Sequence, residues 1–258
     1  MTIGFKNTLL QNTKLSFYDP SFDVTSVPGC TLYLPSGDYE PNGEIAETWY
    51  DRSGNGFDIS NLNAIEQPKI IKNSLNGKDV LRFNGNVLDP LGTNSLARNA
   101  VKGSDLFSAN ECTIFAVNKQ DAVADNRLLY WTKPTQTTSV GVHNPYGDEV
   151  IYCDSPNSSV IPSARVSLAG QGGKIGWASW AFVKESAVSS RVYYQGSSLF
   201  SGSYSPAPIP LDDDTFSLYV PIAYKGEIAE IIIYNRVLTQ VEINLVFNYL
   251  INKFSLLL

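Results

Sequence analysis

One histidine, one methionine and three cysteines among 258 residues leave few ways to build several common catalytic or metal centres. A histidine-based zinc site or a Ser-His-Asp triad would rest on His143 alone. Its setting, SVGVHNPYG, reads as a strand running into a turn, where an exposed or loop-edge histidine is expected rather than a catalytic one. Cys30, Cys112 and Cys153 are odd in number, far apart and each in or beside an apolar run. Without a C-x-x-C pair they read as buried free thiols and not as metal ligands or a disulfide framework. Charged residues are 17% of the chain, below the usual quarter, and the net charge is −6 with no cluster of lysine or arginine. Phosphate binding needs such a cluster, which argues against nucleic acid and against anionic membrane surfaces. No run reaches the roughly 18 apolar residues of a membrane span. Residues 1–20 lack the basic segment and continuous apolar stretch of an export signal, so no export by the usual route is expected.

What the chain does have is apolar and aromatic material, 43% and 12% of its residues, enough for a large core without staples. One domain is expected, since all-β sandwiches often reach this length as a unit. The chain is organised around 216–254. Within it, 226–234 is rich in isoleucine with polar residues too sparse for an amphipathic helix, which predicts a strand covered on both faces. Asn235 and Arg236 turn the chain, and Thr239 with Glu242 forms a Thr-x-x-Glu capping box. A helix over 240–254 follows, with Ile243, Val246, Phe247, Leu250 and Phe254 on one stripe. Upstream, short apolar runs at 31–34, 80–83, 112–117, 128–131, 139–142, 150–153 and 177–183 alternate with Asn, Gly and Pro turns. Adjacent Tyr193 and Tyr194 close a further run before a Gly/Ser tip and must point to opposite faces, one of them exposed. Roughly ten to thirteen strands are counted in this way, as suits an all-β, two-sheet antiparallel jelly-roll sandwich carrying a C-terminal α-helix.

Four stretches, taken in order, carry a resemblance: WYDRSGNGFD at 49–58, NGKDVLRFNG at 76–85, TIFAVNK at 113–119 and GEIAEIIIYNRVLT at 226–239. They resemble the concanavalin A-like, laminin-G-like sandwich domains. The resemblance implies the fold and leaves the activity open, because lectins, adhesion modules, glycosidases and virion parts share it. It places the sandwich at 28–258 and leaves 1–27 as an N-terminal arm. There Phe5, Leu9, Leu10, Phe17 and Tyr18 are isolated anchors among polar residues, a composition able to order against a partner.

The remaining motifs are weighed by their chemistry. Asp51, Ser53, Asn55 and Gly56 occupy the first, third, fifth and sixth places of an EF-hand-like loop, but the bidentate glutamate of the twelfth place is Leu62. The stretch reads as an Asn/Gly turn; no metal or other cofactor is expected, with Ca²⁺ the one candidate. Retaining glycosidases need two carboxylates about 5 Å apart. The nearest pair, Glu227 and Glu230, lies three residues apart and is expected on opposite faces of its strand. GQGGKIG at 170–176 lacks the Ser or Thr of a phosphate loop and reads as a turn. No catalytic residue is therefore nominated. For sugar binding, which needs exposed aromatics with nearby amides and carboxylates, the nominees are Trp131, Tyr146, Asp148, Tyr193 and Tyr194. The leading expectation is a non-catalytic structural or adhesion protein, a virion surface, decoration or tail component held by other parts of a large assembly or by its own copies. The alternative is a lectin module for a cell-surface or polysaccharide glycan, released by a non-classical route; a glycoside hydrolase comes third.

Overall fold

The computed structural model describes residues 21–84, 95–108, 111–124, 127–132, 139–154, 165–185, 189–203, 209 and 211–256. The first half holds β1 (Cys30–Leu34), β2 (Tyr39–Asn42), β3 (Ile45–Trp49), β4 (Ile59–Ser60), β5 (Lys69–Leu75), β6 (Lys78–Asn84), β7 (Leu96–Asn99), the short α1 (Gly103–Leu106) and β8 (Cys112–Gln120). The second holds β9 (Leu129–Thr132), β10 (Ser139–His143), β11 (Ile151–Asp154), β12 (Arg165–Leu168), β13 (Ala178–Glu185), β14 (Ser189–Tyr194), β15 (Ser197–Ser203), β16 (Ser217–Val220), β17 (Lys225–Tyr234) and α2 (Gln240–Phe254). Every strand pair described is antiparallel, so the all-β, sandwich reading of the sequence stands, with more and shorter strands than the turn signals suggest.

Two layers result. In the first, β5, β6, β17, β8, β13, β14 and β15 pair in that order, and β1 shares with β6 one edge of β17. In the second, β4, β7, β16, β9, β10, β11 and β12 pair in that order. Between them lies a core that includes Trp49, Phe83, Trp131, Trp180 and Phe216. A second core, with Phe115, Val117, Val183 and Tyr193, lies between the first layer and α2.

The strand β17 sits at the centre of both. From Gly226 to its end every residue is buried, as a strand covered on both faces must be. Ile228, Ile231 and Ile233 face the other sheet, whereas Ala229, Ile232 and Tyr234 face α2. Gly226 is close-packed: a Cβ there would lie 2.1 Å from the Lys119 carbonyl oxygen of β8. That neighbour is ladder backbone and cannot swing aside. Gly226→Ala is therefore expected to destabilise the domain by about 1–3 kcal/mol, as overpacking does, measured by urea denaturation.

The pairing of β17 with β8 slips one residue between Ile228 and Glu230, a bulge centred on Ala229. This corrects the expectation for the two glutamates. An extra residue restores the side of the sheet, so both Glu227 and Glu230 lie on the α2 face, Glu227 with Arg82 and Lys119, Glu230 with Lys253 of α2. Each carboxylate is bound to its own cation.

The helix begins as its capping box predicts. The Thr239 hydroxyl accepts from the Glu242 amide at 3.3 Å, and Glu242 returns to the Thr239 amide at 2.8 Å. The Arg236 guanidinium also grips Glu242, and together with these bonds it holds that carboxyl down at about 2. Ile243, Val246, Phe247, Leu250 and Phe254 are all buried against the first layer. Burial of such side chains contributes about 1.5–3 kcal/mol each, which fixes the helix to the sheet. Residues 21–27, given to the arm by the sequence, belong to this packing: Val24 and Val27 are buried, and the Tyr234 hydroxyl donates to the Val24 carbonyl at 2.9 Å. Residues 1–20, with Phe5, Leu9, Leu10, Phe17 and Tyr18, lie outside the described residues.

Candidate functional site

The outer face of the first layer carries α2; among the described residues the outer face of the second layer carries no helix. Alternation assigns its side chains. Leu96, Leu218, Val220, Leu129, Trp131, Val140, Val142, Ile151, Cys153 and Val166 point into the core. Ala97, Tyr219, Tyr130, Gly141, His143, Tyr152, Asp154 and Arg165, between them in sequence, point the other way. The register aligns Ser60, Ala97, Tyr219, Tyr130, Gly141, Asp154 and Arg165 in one row across seven strands. At about 4.8 Å per strand this row spans roughly 29 Å.

One end of the row opens into a cleft of about 580 Å³, lined by Asp58, Ser60, Asn61, Leu62, Glu66, Ser95, Ala97, Arg98, Asn99 and Tyr219. Its first wall is the WYDRSGNGFD turn. The Asp51 carboxylate accepts from the amides of Tyr33, Ser53 and Phe57, each at 2.9 Å. Two amides of the turn and one of β1 thus bind the carboxylate that the EF-hand comparison made a calcium candidate. No cluster of three or more His, Cys, Asp or Glu among the described residues is arranged to hold a metal. Asp58 closes the turn by accepting from the Asp51 amide at 2.8 Å. Arg98 spans the same wall, donating to the Gly56 carbonyl at 2.7 Å with its guanidinium 5.2 Å from the Phe57 ring.

The opposite wall is the 3₁₀ turn Ala64–Glu66, whose cap is the Asn63 side chain. There Asn61 Nδ2 donates to Glu66 Oε2 at 3.3 Å and to the Ser95 carbonyl at 3.0 Å. At the floor, Ser217 donates to Asn99 Oδ1 at 2.8 Å, and Tyr219 offers a half-buried ring. The carboxylates of Asp58 and Glu66 each have one oxygen held by these bonds. A half-exposed aromatic and several oriented amides and carboxylates thus meet in one concave space, the combination that recognises the faces and hydroxyls of a sugar.

The other end of the row is ionic and aromatic. Arg165 forks onto Asp154 at 2.7 and 2.9 Å and lies 4.1 Å from the centroid of Tyr152. His143 was expected on a loop edge; it is buried, with Nε2 3.3 Å from Asp154 Oδ2 and the rings of Tyr130, Tyr146 and Tyr152 around it. Burial pushes its pKa down, against the pull of Asp154. Burial would raise Asp154, but His143 and Arg165 overcome it and hold the carboxyl at about 2.

The nominated sugar-binding residues fall in several places. Trp131 is a correction: it is fully buried, stacked 4.1 Å from Phe216, with its indole nitrogen donating to the Val101 carbonyl at 2.8 Å. Tyr193 is a second: it lies under α2 with its hydroxyl donating to Gln240 at 2.9 Å and its ring 6.2 Å from Phe247. Tyr194 does point to the opposite face, yet it is half-buried against Trp180 at 4.7 Å, so neither tyrosine is exposed. Tyr146 is half-buried beside His143, and Asp148 is exposed, accepting from the Tyr152 hydroxyl. Neither lines the cleft. The residues that do, Tyr219 above all, were legible only as the lone polar aromatic in the alternation of SLYV at 217–220.

No protein-family model matches this sequence, and no curated protein matches it. Solved structures do match in fold. The binding domain of botulinum neurotoxin serotype D superposes with a TM-score of 0.58 at 13% identity, covering 86% of this chain and 51% of the toxin domain. The binding domain of Paraclostridial Mosquitocidal Protein 1 gives 0.59 at 12% identity, with 89% and 54% covered. A Trypanosoma rangeli sialidase in complex with a difluorinated KDN sugar gives 0.57 at 14% identity, with 86% and 33% covered. The chain therefore spans about half the length of the toxin domains and a third of the sialidase, and what it shares with them is the fold.

Proposed function

We propose that this domain is a non-catalytic glycan-binding module whose ligand seats in the cleft against Tyr219. The observation that carries this reading is the convergence there of a half-buried tyrosine with Asp58, Asn61, Glu66, Arg98 and Asn99. Two structures that share the fold are named as binding domains, which supports a binding role. The non-catalytic part rests on Glu227 and Glu230, the carboxylates nearest to a hydrolase pair in sequence, which are each tied to lysine or arginine away from the cleft. In this proposal the sandwich is of the concanavalin A-like, laminin-G-like kind that the four motif stretches resemble. It serves as the adhesive part of a larger assembly, with a virion surface as the expected setting.

The test is a glycan array followed by calorimetry on the strongest ligands. Tyr219→Ala is expected to weaken binding about tenfold, the loss of one aromatic face at roughly 1.4 kcal/mol, with the melting temperature nearly unchanged. Unaltered affinity in that variant, or no glycan bound at all, contradicts the reading.

A further inference from the structure

Resting on that reading, we infer that the glycan carries an anionic group, a carboxylate or a sulfate, held by Arg127 beside the cleft. The step from cleft to cation is one strand wide. Tyr219, in the cleft, stands directly opposite Tyr130 in the β16 and β9 pair. The Tyr130 ring lies across β10 because position 141 is glycine: a Cβ there would sit 2.5 Å from Tyr130 Cδ2 and 2.7 Å from Cε2. Any other residue would lift the ring off the sheet. Over this seated ring, at 5.2 Å from its centroid, lies the Arg127 guanidinium. The backbone of Arg127 is pinned to Ile222, three residues beyond Tyr219, by a reciprocal pair of hydrogen bonds at 3.0 and 2.9 Å.

Among the described residues the cation is positioned and meets no counter-charge. The other arginine of this face, Arg165, forks onto Asp154, and Arg98, one residue along from the outward Ala97, donates to the carbonyls of Gly56 and Asp58. Among the described residues the Arg127 side chain meets no carboxylate or carbonyl, and its Nε is buried without a hydrogen-bond partner. Burying part of a guanidinium without an acceptor is unfavourable, and in a chain of net charge −6 an arginine with no acceptor among the described residues stands out on the open face. The cation–π contact holds the group over the ring, and its remaining N–H donors form the fork that matches a carboxylate or sulfate oxygen pair. Asp58 and Glu66, at the other side of Tyr219, suit hydroxyls instead. A ligand crossing Tyr219 would place neutral sugar units in the cleft and an acidic unit at Arg127.

The experiment uses the full chain on an array of neutral, uronate-bearing and sulfated oligosaccharides, then calorimetry at low salt on matched neutral and acidic ligands. An acidic ligand is expected to bind about tenfold tighter than its neutral counterpart, the size of one charge-assisted bidentate contact. Arg127→Gln should remove that advantage and leave neutral affinity and melting temperature as they are, while Arg127→Lys should keep part of it. The uronate and sulfate arms identify the anion. Equal affinity for neutral and acidic ligands, or a preference that survives Arg127→Gln, overturns the inference and leaves the cleft reading intact. Absence of binding to any array member overturns both.

Discussion

Replacing Lys253 by methionine is expected to destabilise the domain by about 3–5 kcal/mol near neutral pH, because it strands a buried carboxylate. Glu230 has no exposed surface, and Lys253, reaching from the last turn of α2, is the cation that meets it. The same ammonium donates to the Tyr249 hydroxyl at 2.9 Å and reaches that of Tyr33 at 3.4 Å, and the two tyrosines bond each other at 2.6 Å. Burial outweighs these partners and holds the Glu230 pKa above its ordinary value. A carboxyl raised in the native state takes up a proton more readily folded than unfolded. Its contribution therefore favours folding at low pH and is lost as pH rises through the native value. Without Lys253 the native value rises further, so the variant's deficit should be larger at pH 7 than at pH 5. Urea denaturation at both pH values tests this. A deficit below about 1 kcal/mol at pH 7, the range of an exposed pair, or one that grows on acidification, contradicts the assignment. Pairing the substitution with Glu230→Gln should recover part of the loss.

Trp131→Ala is expected to cost about 3–5 kcal/mol of stability, the usual range for emptying a buried tryptophan site. The indole touches Phe216 on one face and Phe107 edge-on at 5.7 Å, and its N–H is satisfied by a buried carbonyl. The informative companion is Trp131→Phe, which keeps most of the ring volume. It should melt some degrees lower and bind glycan as the wild type does. Lost binding without lost stability in either variant would return Trp131 to the ligand site that its residue type first suggested.

Aromatic identity misleads here for a physical reason. Tryptophan and tyrosine serve a core as readily as a sugar platform, and the short strand LYWT at 129–132 alternates in a way that puts Tyr130, not Trp131, outside. Local signals were legible where one period dominates: the capping box and the stripe of α2 come from contiguous residues, and so do the Asn/Gly turns. The side of the sheet taken by Glu230 was not legible, because a strand apolar on both faces gives alternation nothing to register against, and the bulge at Ala229 is set by the β8 partner. His143 was misplaced for a similar reason, since its burial comes from Asp154 and three tyrosines that the pairing of β9, β10 and β11 brings beside it. The cleft is the extreme case. Its residues come from 58–66, 95–99 and 219, segments joined only when β4, β7 and β16 pair, so no single window of the sequence displays it.

The central claim is that this cleft is where a glycan binds, and amide and side-chain chemical shifts followed by NMR during titration with the strongest array ligand test it most directly. The account predicts saturable shifts at Tyr219, Asn61, Asn99 and Arg98, fading through Tyr130 along the row, with the signals of α2 unmoved. Shifts confined to Tyr146, Asp148 and Tyr194, or to the α2 face, with the Tyr219 region silent, would contradict it.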